Sequence, residues 1–405
     1  MMEQKAVTQS KGHAHSDFVI VLTLFVTARV MLAFLFNPYS FFTSGFLGHT
    51  YYYEMAAYSA RGQFPYVHFW FEYPPVFPYL AIAIYQWTNL LGAGFEYFNR
   101  ALAFAKLPFE CLTLINLYRI ARWAFYDAAA VRVSWVYALL IIPAYYWWHS
   151  PDPILVALTL QSLYWFTQGK PYASAIALGL AVATKFTPVF LLATVWRFAR
   201  DRRIAIISTL LTVGLVAGIF APFLILSPTF TLASLQSLIA VSSWETIWAL
   251  LDGNLGYGNV GAWADHFDAA RAGVPIYNPV TVPLWLTLGL VGLLFIFVYT
   301  RKWNLSQPRH WLAFSGIMLM LFLLWSKGWS PQWATLVIPF FLLLYPDLRG
   351  MLLALVLSAV GLLDWPMTLN LDNPAIYALG VLLRTGIFAG VAIALYRECV
   401  PARVR

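Results

Sequence analysis

The sequence has few charged residues for its length. Of its 405 residues only 10% are charged, whereas 61% are hydrophobic and 18% are aromatic. A soluble domain carries about 25% charged residues, so this composition excludes water as the main solvent of the chain. Apolar runs recur from end to end with no soluble-looking block between them. We therefore expect one membrane-embedded domain over residues 1–405.

Cysteine and the common signatures of soluble enzymes are scarce or absent. The two cysteines, Cys111 and Cys399, lie far apart in the sequence, which implies no disulfide framework. There is no P-loop, dinucleotide-binding fingerprint, HExxH motif or Cys/His metal spacing. The formal net charge is +8, but the basic residues punctuate apolar runs and form no basic and aromatic surface. We expect membrane lipids as partners and no nucleic acid.

Long apolar runs are what the sequence does have. A bilayer core of ~30 Å requires ~20 apolar residues per helix, and unsatisfied backbone groups in lipid force helical geometry. The pattern predicts an all-α polytopic membrane protein with about 12 transmembrane helices, several of them short. The predicted spans are 18–36, 101–121, 133–148, 154–167, 173–185, 187–198, 204–226, 280–300, 311–325, 334–345, 351–363 and 375–396.

One further apolar run, residues 74–92, decides the orientation. If it spans the membrane, the basic cluster at 119–132 falls outside, whereas the positive-inside rule favours a cytoplasmic position. We therefore place 74–92 in the outer interface, within a first outer loop of about 37–99 that carries interfacial helices. A second large outer loop covers about 227–279. Both termini are then cytoplasmic, and most acidic residues lie at the extracytoplasmic face.

Two carboxylates in this arrangement are candidates for chemistry. Glu72 precedes two prolines at the start of an apolar run, so it is held near the membrane surface, where burial can tune its pKa. The alternative is an ordinary charge at a helix start. Asp152 lies in a tight outer turn between two spans, where turn chemistry or helix capping is the ordinary explanation.

Several cations interrupt the outer halves of predicted spans. Lys185 breaks an apolar stretch just before a proline, and Lys106, Lys327 and Arg384 lie in or near outer halves, while Arg29 lies within the first span. A cation inside the membrane costs about 2.5 to 3.5 kcal/mol on insertion scales. Snorkelling to the headgroups explains any single one. Converging at one face, they would form an anion site suited to a lipid phosphate.

Five short motifs together resemble a known group of enzymes. Their order is similar to that of membrane glycosyltransferases of the C superfamily (GT-C), most of all the family 87 enzymes that resemble polyprenol-phosphate-mannose-dependent mannosyltransferases. The resemblance covers most of the chain. The motifs are Gly62-x-x-Pro65-Tyr66, Glu72-Tyr73-Pro74-Pro75, the Asp152 turn, Thr184-Lys185-Phe186-Thr187-Pro188 and Lys327-Gly328-Trp329-Ser330-Pro331-Gln332.

This resemblance implies an outer-face active site with an acidic general base in the first outer loop. The family typically has an aspartate shortly before a Tyr-Tyr pair, whereas this chain has Gly48 and His49 there. The base could be His49 in a shifted register, Glu54 one turn on, or Glu72 with Asp152; alternatively, activity has been lost or changed. A divalent metal held by Glu72, His49 and Asp152 is a further option that the spacing does not demand.

The implied reaction is transfer of a sugar, mannose in the family, from a polyprenyl-phosphate donor to a lipid or glycan acceptor, with inversion. Lys185 and Lys327, together with Lys106 or Arg384, would bind the donor phosphate. The competing interpretation is a secondary transporter or lipid flippase, because intramembrane charges also mark ion pathways. The unequal outer loops and the lack of an evident two-fold repeat argue against it. A non-catalytic assembly partner is a third interpretation.

Overall fold

The described part of the chain is helical. The computed structural model describes residues 2–35, 48–148, 150–240, 242–256, 258, 261–274, 281–303, 307–364 and 373–400. Within these segments extended pairing is limited to two isolated bridges, Pro65 with Phe69 and Trp244 with Gly328. The all-α prediction is confirmed. The parts of the two predicted outer loops at 37–47 and 275–279 lie outside the described residues.

Eighteen α-helices follow one another in the described residues, separated by loops and short 3-10 turns. They are α1 (Met2–Leu35), α2 (Gly48–Ala57), α3 (Val76–Leu90), α4 (Phe95–Ala124), α5 (Asp127–Leu139), α6 (Ile141–Trp147), α7 (Asp152–Thr167), α8 (Pro171–Val182), α9 (Leu191–Phe198), α10 (Arg202–Leu226), α11 (Pro228–Ala240), α12 (Ile247–Asp252), α13 (Trp263–His266), α14 (Leu284–Thr300), α15 (Pro308–Trp325), α16 (Ala334–Leu344), α17 (Leu348–Leu362) and α18 (Pro374–Cys399).

Several of these helices are long and apolar enough to cross a membrane, which makes the chain an integral membrane protein. Across the described segments there are five: the 14–35 part of α1, and α4, α10, α15 and α18. The pair α5 and α6, bent by 54°, would make six. The predicted number of about 12 spans is not confirmed. The reason is length, since a 12-residue helix such as α8 rises only about 18 Å against ~30 Å of hydrocarbon.

Two of the predicted spans are interrupted in the structure. The run 133–148 is not one helix, because α5 ends at Leu139 and α6 begins at Ile141. The run 173–185 ends early, because α8 stops at Val182. After this break the chain enters a 3-10 turn at Thr187–Phe190. The segment between α8 and this turn carries Lys185.

A second hydrophobic core fixes the chain between α2 and α3. It is separate from the main core and consists largely of aromatic side chains, among them Tyr52, Phe71, Phe77 and Phe98. Tyr52 and Phe77 pack edge to face with ring centroids 4.7 Å apart. Aromatic pairs of this geometry contribute about 0.5–1.5 kcal/mol beyond their buried area. The core therefore holds the loop that precedes α3 against the helical bundle.

A buried ion pair joins α1 to α4. Arg29 Nη2 lies 3.2 Å from Glu110 Oε2, and each side chain is 3% exposed. The Arg29 guanidinium also lies over the Phe25 ring, 4.3 Å from its centroid. Burying either charge alone would be costly, and the pairing offsets that cost. Arg29 is thereby explained by a helix-to-helix contact.

Replacing Glu110 by alanine should strongly destabilise the protein, because Arg29 would remain buried without a carboxylate. The expected loss is about 3–5 kcal/mol of unfolding free energy, measured by chemical unfolding in detergent. Glu398→Ala is the matched control, since Glu398 pairs with Arg309 at 2.8 Å with both side chains about a third exposed; it should cost about 0–1 kcal/mol. Equal losses in the two variants would contradict this interpretation.

Candidate functional site

The site begins with an ion pair between the start of α7 and the end of α8. The two helices form a tight hairpin, so the first residue of α7 lies beside the chain that leaves α8. Lys185 Nζ is 2.9 Å from Asp152 Oδ1, and the Asp152 side chain is 0% exposed. The N-cap residue of α7 is Pro151, and the Asp152 amide donates a 3.3 Å hydrogen bond to the Ser150 hydroxyl. The carboxylate therefore binds Lys185 and does not cap the helix.

An aromatic ring lies beneath the lysine. Lys185 Nζ is 4.6 Å from the centroid of Trp333, which ends the 3-10 turn Pro331–Trp333 before α16. The face of tryptophan attracts a cation by its quadrupole. The other Asp152 oxygen, Oδ2, is buried and has no hydrogen-bond partner among the described residues. A buried carboxylate oxygen without a partner is unusual and is available to a ligand.

Glu72 lies in the loop before α3, which is bonded to the segment that carries Lys185. Tyr51 donates a 2.8 Å hydrogen bond to Glu72 Oε2, while Oε1 is buried without a partner in the described segments. Burial raises the pKa of Glu72 to about 7, against opposing hydrogen bonds from its own backbone and from Tyr51. The loop is fastened beside Lys185 because the Val76 amide donates to the Ala183 carbonyl, 3.3 Å away.

Tyr73 lies between the two carboxylates. Burial raises the pKa of its hydroxyl, and the charges of Glu72 and Asp152 raise it further. The side chains of Tyr52 and Gln332 lie close enough to lower that pKa again in part. Three motifs far apart in the sequence, the first-loop Glu72 motif, the Asp152 turn and the late loop at Gln332, therefore meet here. We call Glu72, Tyr73, Asp152, Lys185 and Trp333 the primary cluster.

Lys106 and His49 are buried beside the turn that precedes Asp152. Lys106 is 0% exposed and its Nζ bonds to His49 Nε2 at 2.8 Å, to the Ser150 carbonyl at 3.1 Å and to the Trp147 carbonyl. His49 Nδ1 lies 2.6 Å from Asn99 Oδ1. Lys106 therefore braces the turn that ends α6 and presents Asp152.

Replacing Lys106 by methionine should loosen this turn, because two buried carbonyls lose their donor. A buried acceptor left without a partner costs about 1–3 kcal/mol, so the unfolding free energy should fall by at least that amount. Hydrogen exchange at the 150–155 amides should accelerate by tenfold or more, as a loss of about 1.4 kcal/mol implies. Lys170→Met, at an exposed lysine, is the control; unchanged exchange in Lys106→Met would exclude the bracing role.

The other predicted phosphate ligands lie in a second group. Arg384 bonds to the Asp364 carboxylate and to the Glu245 carbonyl, and its guanidinium lies 4.7 Å from the centroid of Trp329. Lys327 Nζ donates to the Val282 carbonyl at 3.3 Å. The side chains of Lys327 and Lys185 are thus engaged in different places.

Two tryptophans connect the second group to the primary cluster. The ring centroids of Trp329 and Trp333 are 5.9 Å apart, with Arg384 over the first ring and Lys185 over the second. Glu54 is exposed and accepts a 2.8 Å hydrogen bond from the Trp263 indole, whose ring stacks on that of Tyr51 with centroids 4.9 Å apart. The segments that carry Glu72, Asp152 and Lys185 are joined by the Lys185–Asp152 pair and by the hydrogen bond between Val76 and Ala183.

Glu245 is a residue that sequence reasoning missed. It is 2% exposed, its backbone has a φ of 48°, and its Oε1 has no partner in the part of the chain that is described. Burial raises its pKa to about 8, against the opposing charge of Arg384. Non-glycine residues at positive φ are uncommon and cluster at functional sites. In the sequence Glu245 is one of several acidic residues in the predicted outer loop at 227–279, and no adjacent proline singles it out.

No three histidine, cysteine, aspartate or glutamate side chains converge as a metal site within the described segments. The predicted option of a metal held by Glu72, His49 and Asp152 stays a prediction. His49 faces Lys106 and Asn99, while Asp152 faces Lys185.

Comparison with known proteins finds similarity in structure. No family model matches the chain, and no curated protein matches it. The chain is similar over 94% of its length to the apo oligosaccharyltransferase of Archaeoglobus fulgidus, with 15% identity and a TM-score of 0.41, and spans 56% of that protein. Over 92% of its length it is similar to ArnT from Cupriavidus metallidurans bound to undecaprenyl phosphate, with 15% identity and a TM-score of 0.46, and spans 76% of that chain.

Proposed function

We propose that this chain is a membrane glycosyltransferase of the GT-C kind, similar to family 87, that transfers a sugar from a polyprenyl-phosphate donor to a lipid or glycan acceptor. The primary cluster supports this proposal. Its decisive feature is the contact of Lys185 with Asp152 at 2.9 Å, together with Glu72, whose Oε1 has no partner among the described residues. The charges of both carboxylates act on Tyr73, and the loop of Glu72 is bonded to the segment of Lys185, so a cation for a phosphate and a carboxylate for a hydroxyl belong to one site.

Glu72 is the general base in this proposal. Its free oxygen accepts the proton of an acceptor hydroxyl, and the resulting oxygen attacks the anomeric carbon from the side opposite the phosphate. The bond from that carbon to the phosphate oxygen breaks, its electron pair leaves with the polyprenyl phosphate, and the anomeric configuration inverts. A pKa of about 7 suits this role, because general bases work best when their pKa lies near the working pH.

Lys185 stabilises the leaving phosphate. An ammonium group has three N–H donors, and Asp152 takes one of those of Lys185. The Lys185 side chain is 11% exposed, so a phosphate would meet a cation that is mostly screened from water. Fixed charges act more strongly in such a site than in bulk water. Asp152 orients the lysine while no phosphate is bound.

The remaining candidates for the base fit less well. Both ring nitrogens of His49 are engaged, one by Asn99 and the other by Lys106, and the ring is fully buried. Glu54 is exposed and hydrogen-bonded to Trp263. We therefore assign the base to Glu72. Mannose as the sugar, and the extracytoplasmic side for the site, come from the sequence resemblance and the charge pattern.

The direct test is sugar transfer by the purified protein in liposomes. Radiolabelled polyprenol-phosphate mannose is supplied with extracted membrane lipids as acceptors, and a new labelled lipid or glycan is expected. A nucleotide-linked mannose should give no product. Movement of labelled solute or lipid across the bilayer without any covalent product would instead establish the transporter or flippase interpretation.

A further inference from the structure

A second pair of buried polar groups lies where the segment around Trp244 meets the segment around Trp329. The backbone segments at Trp244 and Trp329 pair with each other, because the Trp244 amide donates to the Lys327 carbonyl and the Trp329 amide donates to the Trp244 carbonyl, each at 3.1 Å. Glu245 and Trp329 are therefore close neighbours on adjacent strands of chain. Both also touch Arg384, which bonds to the Glu245 carbonyl and lies over the Trp329 ring.

Each of the two side chains has one polar atom without a partner in the described residues. Glu245 Oε1 is an acceptor and Trp329 Nε1 is a donor, and each residue is 2% exposed. Buried polar atoms are otherwise almost always hydrogen-bonded. A donor and an acceptor left open on two neighbouring segments match a hydroxyl group, which can donate one hydrogen bond and accept another.

The main chain of Glu245 is held independently of its side chain. Its amide donates to the Tyr377 hydroxyl at 2.6 Å, and its carbonyl accepts from Arg384. These bonds stabilise the backbone at a φ of 48°, a conformation that costs of order 1–3 kcal/mol. The carboxyl group makes no contribution to these backbone bonds; its charge faces that of Arg384, and its Oε1 stays without a hydrogen-bond partner among the described residues.

We propose that Glu245 and Trp329 form a subsite that binds a hydroxyl group of a sugar ring. The aromatic faces of Trp329 and Trp333 connect this subsite to the primary cluster, with ring centroids 5.9 Å apart. A neutral ligand fits better than a cation, because Arg384 already lies against this side. The inference rests on the proposed function for its place in sugar transfer, where the ring belongs either to the donor or to the acceptor.

Binding of free sugars tests the subsite without turnover. Methyl glycosides of mannose, glucose and galactose are titrated into the purified protein, with intrinsic tryptophan fluorescence as the readout. Glu245→Ala should weaken the binding of at least one glycoside by about tenfold. Trp329→Phe keeps an aromatic ring but removes the N–H, and it should weaken binding by about two- to tenfold. Glu245→Gln retains an acceptor oxygen and should restore most of the affinity. Glu96→Gln, at an exposed glutamate on α4, should leave it unchanged.

Kinetic constants show whether the sugar ring in the subsite belongs to the acceptor or to the donor. If the acceptor occupies the subsite, Glu245→Ala raises the acceptor KM and leaves the donor KM unchanged; the reverse pattern identifies the donor sugar. Sugar binding that depends on Glu245, in a protein without transferase activity, would support the subsite and contradict the proposed function. Wild-type protein that binds no glycoside, or folded Glu245→Ala and Trp329→Phe variants with unchanged affinities and KM values, would overturn the subsite.

Discussion

Lys185→Met is expected to lower kcat for sugar transfer by about 10²- to 10³-fold, the usual effect of removing one group that stabilises developing charge. Methionine retains an unbranched chain against Trp333 but has no N–H for the phosphate. Because Lys185 meets the leaving group and not the acceptor, the acceptor KM should change little. The measurement is the rate of transfer from radiolabelled polyprenol-phosphate sugar at saturating acceptor.

A loss of activity in this variant must be separated from a loss of folding. Lys185→Met leaves Asp152 buried without its cation, and breaking a buried pair costs about 3–5 kcal/mol. The double variant with Asp152→Asn removes both charges, so it should recover much of the stability while remaining inactive. Lys170→Met serves as the surface control. Full activity in a folded double variant would exclude a phosphate-binding role for Lys185.

Glu72→Gln should lower kcat/KM by about 10²- to 10⁴-fold, the contribution typical of a general base. Glutamine keeps the shape and can still accept the Tyr51 hydrogen bond, so folding should be preserved. Glu54→Gln, at the exposed carboxylate bound to Trp263, should keep normal activity. If Glu54→Gln were inactive and Glu72→Gln active, the base would be Glu54.

The pH profile gives this prediction a second readout. Burial raises the pKa of Glu72 to about 7, and only the deprotonated form accepts the acceptor proton. Activity should therefore fall as the pH drops through about 7 and reach a plateau above it. Tyr51 donates to the carboxylate and lowers its pKa, so Tyr51→Phe should move the acid limb of kcat/KM to higher pH. An acid limb that does not move in Tyr51→Phe would show that another group titrates.

Composition and apolar runs were enough to predict the all-α membrane class, because lipid leaves helices as the only way to satisfy the backbone of such segments. Composition and apolar runs do not determine the number of spans. A hydropathy pattern treats residues 133–148 as one run, whereas the bend between α5 and α6 is 54°. Whether a short apolar helix such as α8 crosses the bilayer or packs inside the protein depends on its neighbours, which the pattern does not contain.

The candidate site residues, too, were predictable from the sequence only in part. Glu72, Asp152 and Lys185 were singled out by local context, and the structure places them together, while their catalytic roles stay predictions. Lys106 and Lys327 look equivalent to Lys185 in sequence, since all three are cations in apolar surroundings. Only tertiary packing shows that Lys106 bonds to the carbonyls of the turn at 147–150 and that Lys327 bonds to the carbonyl of Val282.

A structure of the protein with bound polyprenyl phosphate would show whether a lipid phosphate binds at the primary cluster. We expect a phosphate oxygen at about 2.7–2.9 Å from Lys185 Nζ, the distance of a charge-assisted hydrogen bond, with the free oxygen of Glu72 facing the same space. A phosphate bound beside Lys327, with Lys185 still paired only with Asp152, would contradict it.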